Sequence, residues 1–218
     1  MRLYYIIMEL LFPRKCVLCR KLLEKGQVDL CHQCREEAPR YPERKRKLHF
    51  LDSFAAVWYY EGNVRTSLLR FKFRGARNYA AAYGRLLAME LLRQHPDGFD
   101  VLTWVPVSRL RYLQRGYDQS KLLAMAVGKE LGMTPVPLLR KIRNNPKQSG
   151  IVGEAERRAN VLGVYSVRDP AVVQSARVLL VDDILTTGAT AGECARVLLT
   201  AGAKEVHCAA VAAVRKDK

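Results

Sequence analysis

The apolar positions change period several times along the chain. Residues 55–60 form a small, β-branched and aromatic run that predicts a strand, closed by Gly62. Residues 78–94 place Tyr79, Tyr83, Leu86, Leu87 and Leu91 at helical spacing. Residues 101–107 read as a buried strand, 119–131 as a helix and 136–139 as a short strand. Val178-Leu179-Leu180-Val181 is the clearest buried strand. A turn with Gly188 follows, then a helix over 191–201 that Gly202 stops, then a strand over 205–211. Residues 141–160 are polar and basic without a period, which predicts a loop or exposed hairpin. Strands alternating with helices predict an α/β fold whose mostly parallel sheet is covered on both faces.

The first 50 residues have a different texture. The apolar stretch at 3–12 is broken by Glu9 and followed by Pro13, Arg14 and Lys15, without a small-residue cleavage site. It predicts a short amphipathic helix rather than a signal peptide. Pro39-Arg40-Tyr41-Pro42 and Arg44-Lys45-Arg46-Lys47 read as a linker. The expected organisation is a small module over 1–48 and an α/β domain over 49–218. There is no internal repeat or low-complexity tract.

The chain has 218 residues with 37 Lys+Arg against 21 Asp+Glu, a formal charge of +16, and is 49% hydrophobic. That composition suits a folded core and argues against disorder. No stretch approaches the ~20 apolar residues that span a bilayer, so a cytoplasmic protein with an anionic partner is expected. The excess charge is local. Residues 1–50 hold 12 basic and 6 acidic side chains and residues 101–160 hold 11 and 4, whereas residues 161–218 hold 7 and 6.

Four of the six cysteines form two knuckles, Cys16-Val17-Leu18-Cys19 and Cys31-His32-Gln33-Cys34. Each CxxC turn can present two thiolates to one metal, and two such turns complete a tetrahedron. Zinc is favoured over two disulfides or redox dithiols, because intracellular thiols stay reduced and a redox CxxC normally opens a helix after a strand. Cys16, Cys19, Cys31 and Cys34 leave no spare position, so the zinc is structural and His32 a bystander. Cys194 and Cys208 read as small buried apolar residues.

The most informative stretch is Val178-Leu179-Leu180-Val181-Asp182-Asp183-Ile184-Leu185-Thr186-Thr187-Gly188-Ala189-Thr190. A buried strand delivers two adjacent carboxylates to its end, and a small, hydroxylic turn leads into a helix N-terminus. Such a turn offers backbone N–H groups to an anion. Asp182 and Asp183 can accept from vicinal hydroxyls or reach a Mg²⁺ hydration shell. The pattern is not a Walker loop. Ordinary helix capping requires neither the paired acids nor the T-T-G-x-T that follows them.

This stretch resembles the 5-phosphoribosyl-1-pyrophosphate (PRPP) motif of type I phosphoribosyltransferases. Further blocks narrow the resemblance to the ComF family of competence-associated, phosphoribosyltransferase-like proteins. Tyr60-Glu61-Gly62 through Leu68-Leu69-Arg70-Phe71-Lys72-Phe73-Arg74-Gly75 is similar to its Y-x-G…lKf-x-G segment. Val105-Pro106-Val107-Ser108 with Arg115-Gly116-Tyr117-Asp118-Gln119 is similar to its vPvP…RG[FY]NQ segment. Leu139-Arg140-Lys141, Gln148, Arg157 and Asn160 are similar to its R…Q…R-x-x-N block. The chain departs from the pattern at Ser108, often Pro in the family, and at Asp118, commonly Asn.

The resemblance implies a type I phosphoribosyltransferase-like sheet and an N-terminal zinc module. It further implies that Thr186, Thr187, Gly188, Ala189 and Thr190 cradle a ribose 5-phosphate, and that Asp182 and Asp183 hold the ribose hydroxyls directly or near Mg²⁺. Ser108, Arg109 and Arg115 would form a pyrophosphate loop, and the basic segment from Arg140 and Lys141 to Gln148 a closing lid. The implied activity is Mg²⁺-dependent phosphoribosyl transfer from PRPP to an unidentified nitrogen acceptor, in the setting of DNA uptake. Partners would include PRPP and competence-machinery proteins such as a DNA helicase. The alternative is a non-catalytic single-stranded DNA-binding competence protein, with Tyr41, Tyr112 and Tyr117 stacking on bases beside basic residues.

Overall fold

A computed structural model describes residues 13–42, 47–143 and 154–215. Its centre is a four-stranded, wholly parallel sheet in the order β1-β6-β5-β2. The strands are β1 (Ser53–Tyr59), β2 (Val101–Trp104), β5 (Arg177–Leu185) and β6 (Glu205–Ala213). A second, antiparallel ribbon pairs β3 (Leu139–Lys141) with β4 (Tyr165–Val167). The helices are α1 (His32–Glu37), α2 (Gly62–Phe73), α3 (Tyr79–Gln94), α4 (Arg109–Arg115), α5 (Gln119–Leu131), α6 (Glu154–Val161) and α7 (Ala189–Thr200), with a 3₁₀ turn at Pro170–Val173.

Alternation along β5 explains the layering. Leu179 and Val181 face α2, α3 and α5, while Val178 and Leu180 face α7 and the β3–β4 ribbon. Apolar residues on both faces are what a covered parallel strand requires. Central β6 carries Ala209, Ala210, Ala212 and Ala213, all buried, so both helical layers can approach the sheet closely. The cysteine segment joins this packing: Cys16, Val17, Leu18 and Leu30 lie in one apolar cluster with Trp58, Leu68, Phe71 and Tyr83. Ser67 on α2 sits between the carbonyl of Val17, to which its hydroxyl donates, and the Tyr83 hydroxyl at 2.5 Å.

The alternating fold and the helix at 119–131 agree with the sequence pattern. Several local expectations do not, among them the short strand expected at 136–139, which is observed as Leu139–Lys141. Gly62 does not close a strand; it opens α2, whose stripe of Val64, Leu68 and Phe71 is masked in the sequence by Arg65, Arg70 and Lys72. The segment after β2 is helical, because Ser108 caps α4 by accepting from the Arg111 N–H at 3.3 Å and left-handed Gly116 ends it. Glu154–Val161 is helical rather than loop or hairpin, and 144–153 lies outside the described residues, as does the expected helix over 3–12. Strand β2 stops at Trp104 because Pro106 has no N–H to extend a ladder.

Gly84 sets the distance between α3 and α5. A Cβ there would lie 2.4 Å from the Ala126 Cβ and 2.8 Å from its carbonyl carbon. Gly84→Ala must therefore push the helices apart, with an expected loss of about 1–3 kcal/mol in urea unfolding. An unchanged midpoint would show that the helices are free to separate.

Candidate functional site

The chain leaves β5 toward one face of the sheet through α7 and leaves β2 toward the other through α5. Neighbouring parallel strands whose connections diverge open a crevice at their carboxyl ends. A cleft of about 630 Å³ lies there, lined among others by Tyr60, Val105, Val107, Asp182, Asp183, Leu185 and Thr186.

The two carboxylates sit on successive residues of β5. Asp183 is paired with Lys72 of α2 at 2.9 Å, and both side chains are largely buried, with relative accessibilities of 10% and 18%. Asp182 accepts from the Ser120 hydroxyl at 2.9 Å and from the Asp183 N–H at 2.8 Å. Burial, reinforced by the neighbouring Asp183 charge and only partly offset by Lys72, pushes the Asp182 carboxyl up to about 7.

Beyond the acids the chain turns through Thr186 and Thr187 to Gly188, which at φ +87° is the left-handed cap of α7. The Ala189 N–H donates to Thr187 Oγ1 at 3.3 Å. Thr186, Gly188 and Thr190 line the cleft, whereas Thr187 and Ala189 do not. Leu48 closes the far side: a Cβ on Gly188 would come within 2.8 Å of its Cδ2 atom.

Of the residues expected to bind pyrophosphate or form a lid, Arg115 and Lys141 line the cleft. Ser108, Arg109 and Arg140 do not. Ser108 is spent on capping α4, Arg109 is exposed, and Arg140 Nε donates to Ser166 Oγ at 2.8 Å across the β3–β4 ribbon. Arg140 and Lys141 thus belong to a strand, and Gln148 lies outside the described residues. Burial, together with the nearby Arg111 charge, brings the Lys141 ammonium down to about 8. Arg115 donates to Gln119 Oε1 at 2.8 Å and stacks over Phe73 at 4.9 Å. Asp118 caps α5 through the Lys121 N–H at 3.0 Å and reaches the Val107 N–H at 3.3 Å, a role that either Asp or Asn fulfils.

Lys72, Arg111, Gln114, Ser120 and Tyr165 also line the cleft and were not anticipated. Lys72 had a readable signal, as the lysine of the stretch similar to the family's lKf-x-G segment. Arg111 lies one helical turn before Arg115, a relation that exists only once α4 has formed, and Tyr165 comes from a distant element.

Cys16, Cys19, Cys31 and Cys34 present sulfur atoms within 4.8 Å of one another, as a tetrahedral zinc with Zn–S near 2.3 Å demands. Burial and the adjacent Cys19 and Cys16 sulfurs push the Cys34 thiol far above its ordinary range, so four thiolates coexist only around a shared cation. Cys194 and Cys208 are fully enclosed, as expected of apolar fillers.

A second groove, of about 680 Å³, runs between the cysteine segment and helices α2 and α3. Among the described residues Arg14, Lys15, Arg20, Arg70, Arg74 and Arg85 line it against a single acid, Asp29. Arg85 clamps Asp29 through two bonds, at 2.9 and 2.5 Å, and Arg70 donates to the Leu18 carbonyl while its buried Nε has no partner. The tyrosines expected to stack on bases are elsewhere. Tyr117 is buried and donates to the Phe71 carbonyl, Tyr41 packs on Phe54 and Tyr59, and only Tyr112 is exposed.

Residues 118–218 match the phosphoribosyl transferase domain family and residues 7–45 the double zinc ribbon domain family. The chain is 28% identical to competence protein ComFC of Bacillus subtilis, over 86% of this chain and 78% of that one. It is 28% identical to the DNA utilization protein YhgH of Salmonella typhimurium, over 88% and 87%, and 24% identical to competence protein F of Haemophilus influenzae, over 90% and 95%. Overlap with the solved glutamine PRPP amidotransferase of B. subtilis is partial, at 24% identity and a TM-score of 0.46 over 65% of this chain and 30% of that one. Among the described residues no helix is long and apolar enough to cross a membrane.

Because the knuckle residues are also core residues, chelation should unfold more than the N-terminus. Removing zinc, or Cys34→Ser, is expected to lower the melting temperature of the whole chain and to expose Trp58 to fluorescence quenchers. Unchanged Trp58 shielding after complete metal loss would contradict this.

Proposed function

Because the chain is a ComF-family homologue that joins a double zinc ribbon to a phosphoribosyl transferase domain, we propose that the cleft binds PRPP and transfers its phosphoribosyl group to a nitrogen nucleophile. The observation that carries this reading is the juxtaposition, in one cleft, of a buried acid pair, a left-handed glycine turn at a helix start, and the four cations Lys72, Arg111, Arg115 and Lys141. Each part answers one part of the substrate. The turn Thr186–Thr190 and the start of the twelve-residue α7 suit the 5-phosphate, through backbone N–H groups and the helix dipole. Asp182 and Asp183 suit the vicinal ribose hydroxyls. Arg111 and Arg115, one turn apart on α4, suit the pyrophosphate.

Asp182 and Asp183 provide hard oxygen donors of the kind Mg²⁺ prefers. Bound there with PRPP, Mg²⁺ would neutralise charge on the leaving pyrophosphate. The chain's own residues orient the sugar and stabilise charge. As the nitrogen bonds to C1, the C1–O bond breaks and pyrophosphate departs with the electron pair into the Arg111–Arg115 field. The nitrogen sheds its proton to solvent, and the carboxylates would stabilise the oxocarbenium-like sugar. Tyr60, Leu69, Phe73 and Ile184 give the remaining wall its apolar character.

Titration calorimetry with PRPP and Mg²⁺ tests the reading. Binding is expected, with at least about tenfold loss in Asp182→Ala/Asp183→Ala, equal to about 1.4 kcal/mol. A carboxyl that titrates near 7 is protonated below that pH and loses acceptor capacity. Affinity should therefore fall from pH 8 to pH 6, and more steeply in wild type than in Asp182→Asn, which sets aside the substrate's own titration. No binding by the wild-type chain would refute the proposal.

The basic groove favours a second, compatible reading, in which single-stranded DNA lies along the zinc ribbon through its phosphates. In mobility shifts, Lys15→Ala/Arg20→Ala/Arg74→Ala should weaken binding and reduce the log–log salt slope by about 2, while PRPP titration is unaffected. DNA binding that ignores salt would exclude the groove.

A further inference from the structure

The ion pair between Lys72 and Asp183 poses a problem for the reading above. The carboxylate meant for a ribose hydroxyl is already engaged, at 2.9 Å, by an ammonium group largely shielded from water. Lys72 stands in the last turn of α2, and both partners line the cleft. A pair buried only to stabilise the fold would sit away from the ligand space. This one stands inside it.

Charge accounting indicates why. Asp182 and Asp183 occupy adjacent strand positions, and Asp118 is close enough to feel the Asp183 charge. Ser120 and a backbone N–H satisfy Asp182 by hydrogen bonding alone. Among the described residues Lys72 is the cation in direct contact with the acids, and Arg115 acts on Asp183 at longer range. Removing one partner of such a pair leaves an uncompensated buried charge, which a proton or another cation must neutralise. Lysine suits an exchangeable contact, because its ammonium is a single point of charge on a flexible four-carbon stem. Arg111 and Arg115 line the same cleft, so a polyanionic diphosphate ester held by them would enter the reach of that stem.

We propose that Lys72 is a built-in, displaceable counter-ion: it holds Asp183 in the ligand-free cleft, yields that carboxylate to the ribose diol, and then pairs with the pyrophosphate of the substrate. This rests on the PRPP reading for its second half only. The first half concerns the acid pair alone. The lysine takes the place of a divalent cation in the free protein and keeps metal from occupying the acids before substrate brings it.

The experiment uses the full-length, zinc-loaded chain and Mn²⁺ as a paramagnetic probe, without PRPP. Wild type is expected to bind Mn²⁺ weakly at the acid pair. Lys72→Met and Lys72→Gln, each checked by circular dichroism and zinc content, should bind it at least about tenfold more tightly. Adding Asp183→Asn should abolish the gain. PRPP affinity should fall at least about tenfold in the same lysine variants. Unchanged Mn²⁺ affinity in a folded variant overturns the counter-ion role. Unchanged PRPP affinity, where wild type binds PRPP, overturns the transfer to pyrophosphate. Failure of wild type to bind PRPP refutes the function proposed above and leaves the Mn²⁺ result to judge the resting pair. If both variants fail to fold, the wild-type lysine ammonium signals in NMR decide, with Lys72 assigned through Lys72→Arg. Where wild type binds PRPP, a Lys72 signal that PRPP does not move overturns the transfer to pyrophosphate, and a Lys72 ammonium that exchanges with water as fast as a free lysine overturns the resting pair.

Discussion

Two carboxylates side by side at the end of a buried strand are the constraint around which this molecule is arranged. Burial, reinforced by the Asp183 charge, makes Asp182 resist ionisation, and both side chains are partly withdrawn from water. The solution is distributed. Ser120 comes from the first turn of α5, Lys72 from the last turn of α2, and Arg115 from the end of α4, so three helices converge on one strand end. The short α4 buries none of its residues, yet a serine cap and a left-handed glycine hold it in place. Its position makes sense as support for arginines rather than as part of the core.

The fold was legible in the sequence wherever burial was two-sided. The strand around Val178–Val181 and the helix at 119–131 advertise themselves because tertiary packing and local pattern agree there. Helices α2 and α4 were not legible, for opposite reasons. In α2 the stripe of Val64, Leu68 and Phe71 is present but surrounded by arginine and lysine that serve two flanking sites. In α4 there is no stripe at all, only the stop signals at its ends.

The site divides similarly. The acids, the glycine turn and the cysteine knuckles are contiguous in sequence, so their chemistry could be read directly. The cations facing the acids come from segments tens of residues apart; Arg115 and Lys141 were readable from the family-like blocks, whereas the place of Lys72 and Arg111 in the cleft emerges only in the folded chain. Asp118 shows the converse. It stands in a motif-like run beside the cleft, yet its oxygens are committed to backbone N–H groups of α5 and Val107.

Helix α2 touches both halves of the molecule within three residues. Arg70 holds the carbonyl of Leu18 in the first cysteine knuckle, and Lys72 holds the acid pair in the cleft. Its buried face is anchored by Leu68 and Phe71. Arg70 and Lys72 share the last turn of the helix, so the side chain that grips the knuckle and the side chain that grips the acids start from one piece of backbone. Where that turn lies sets both contacts at once.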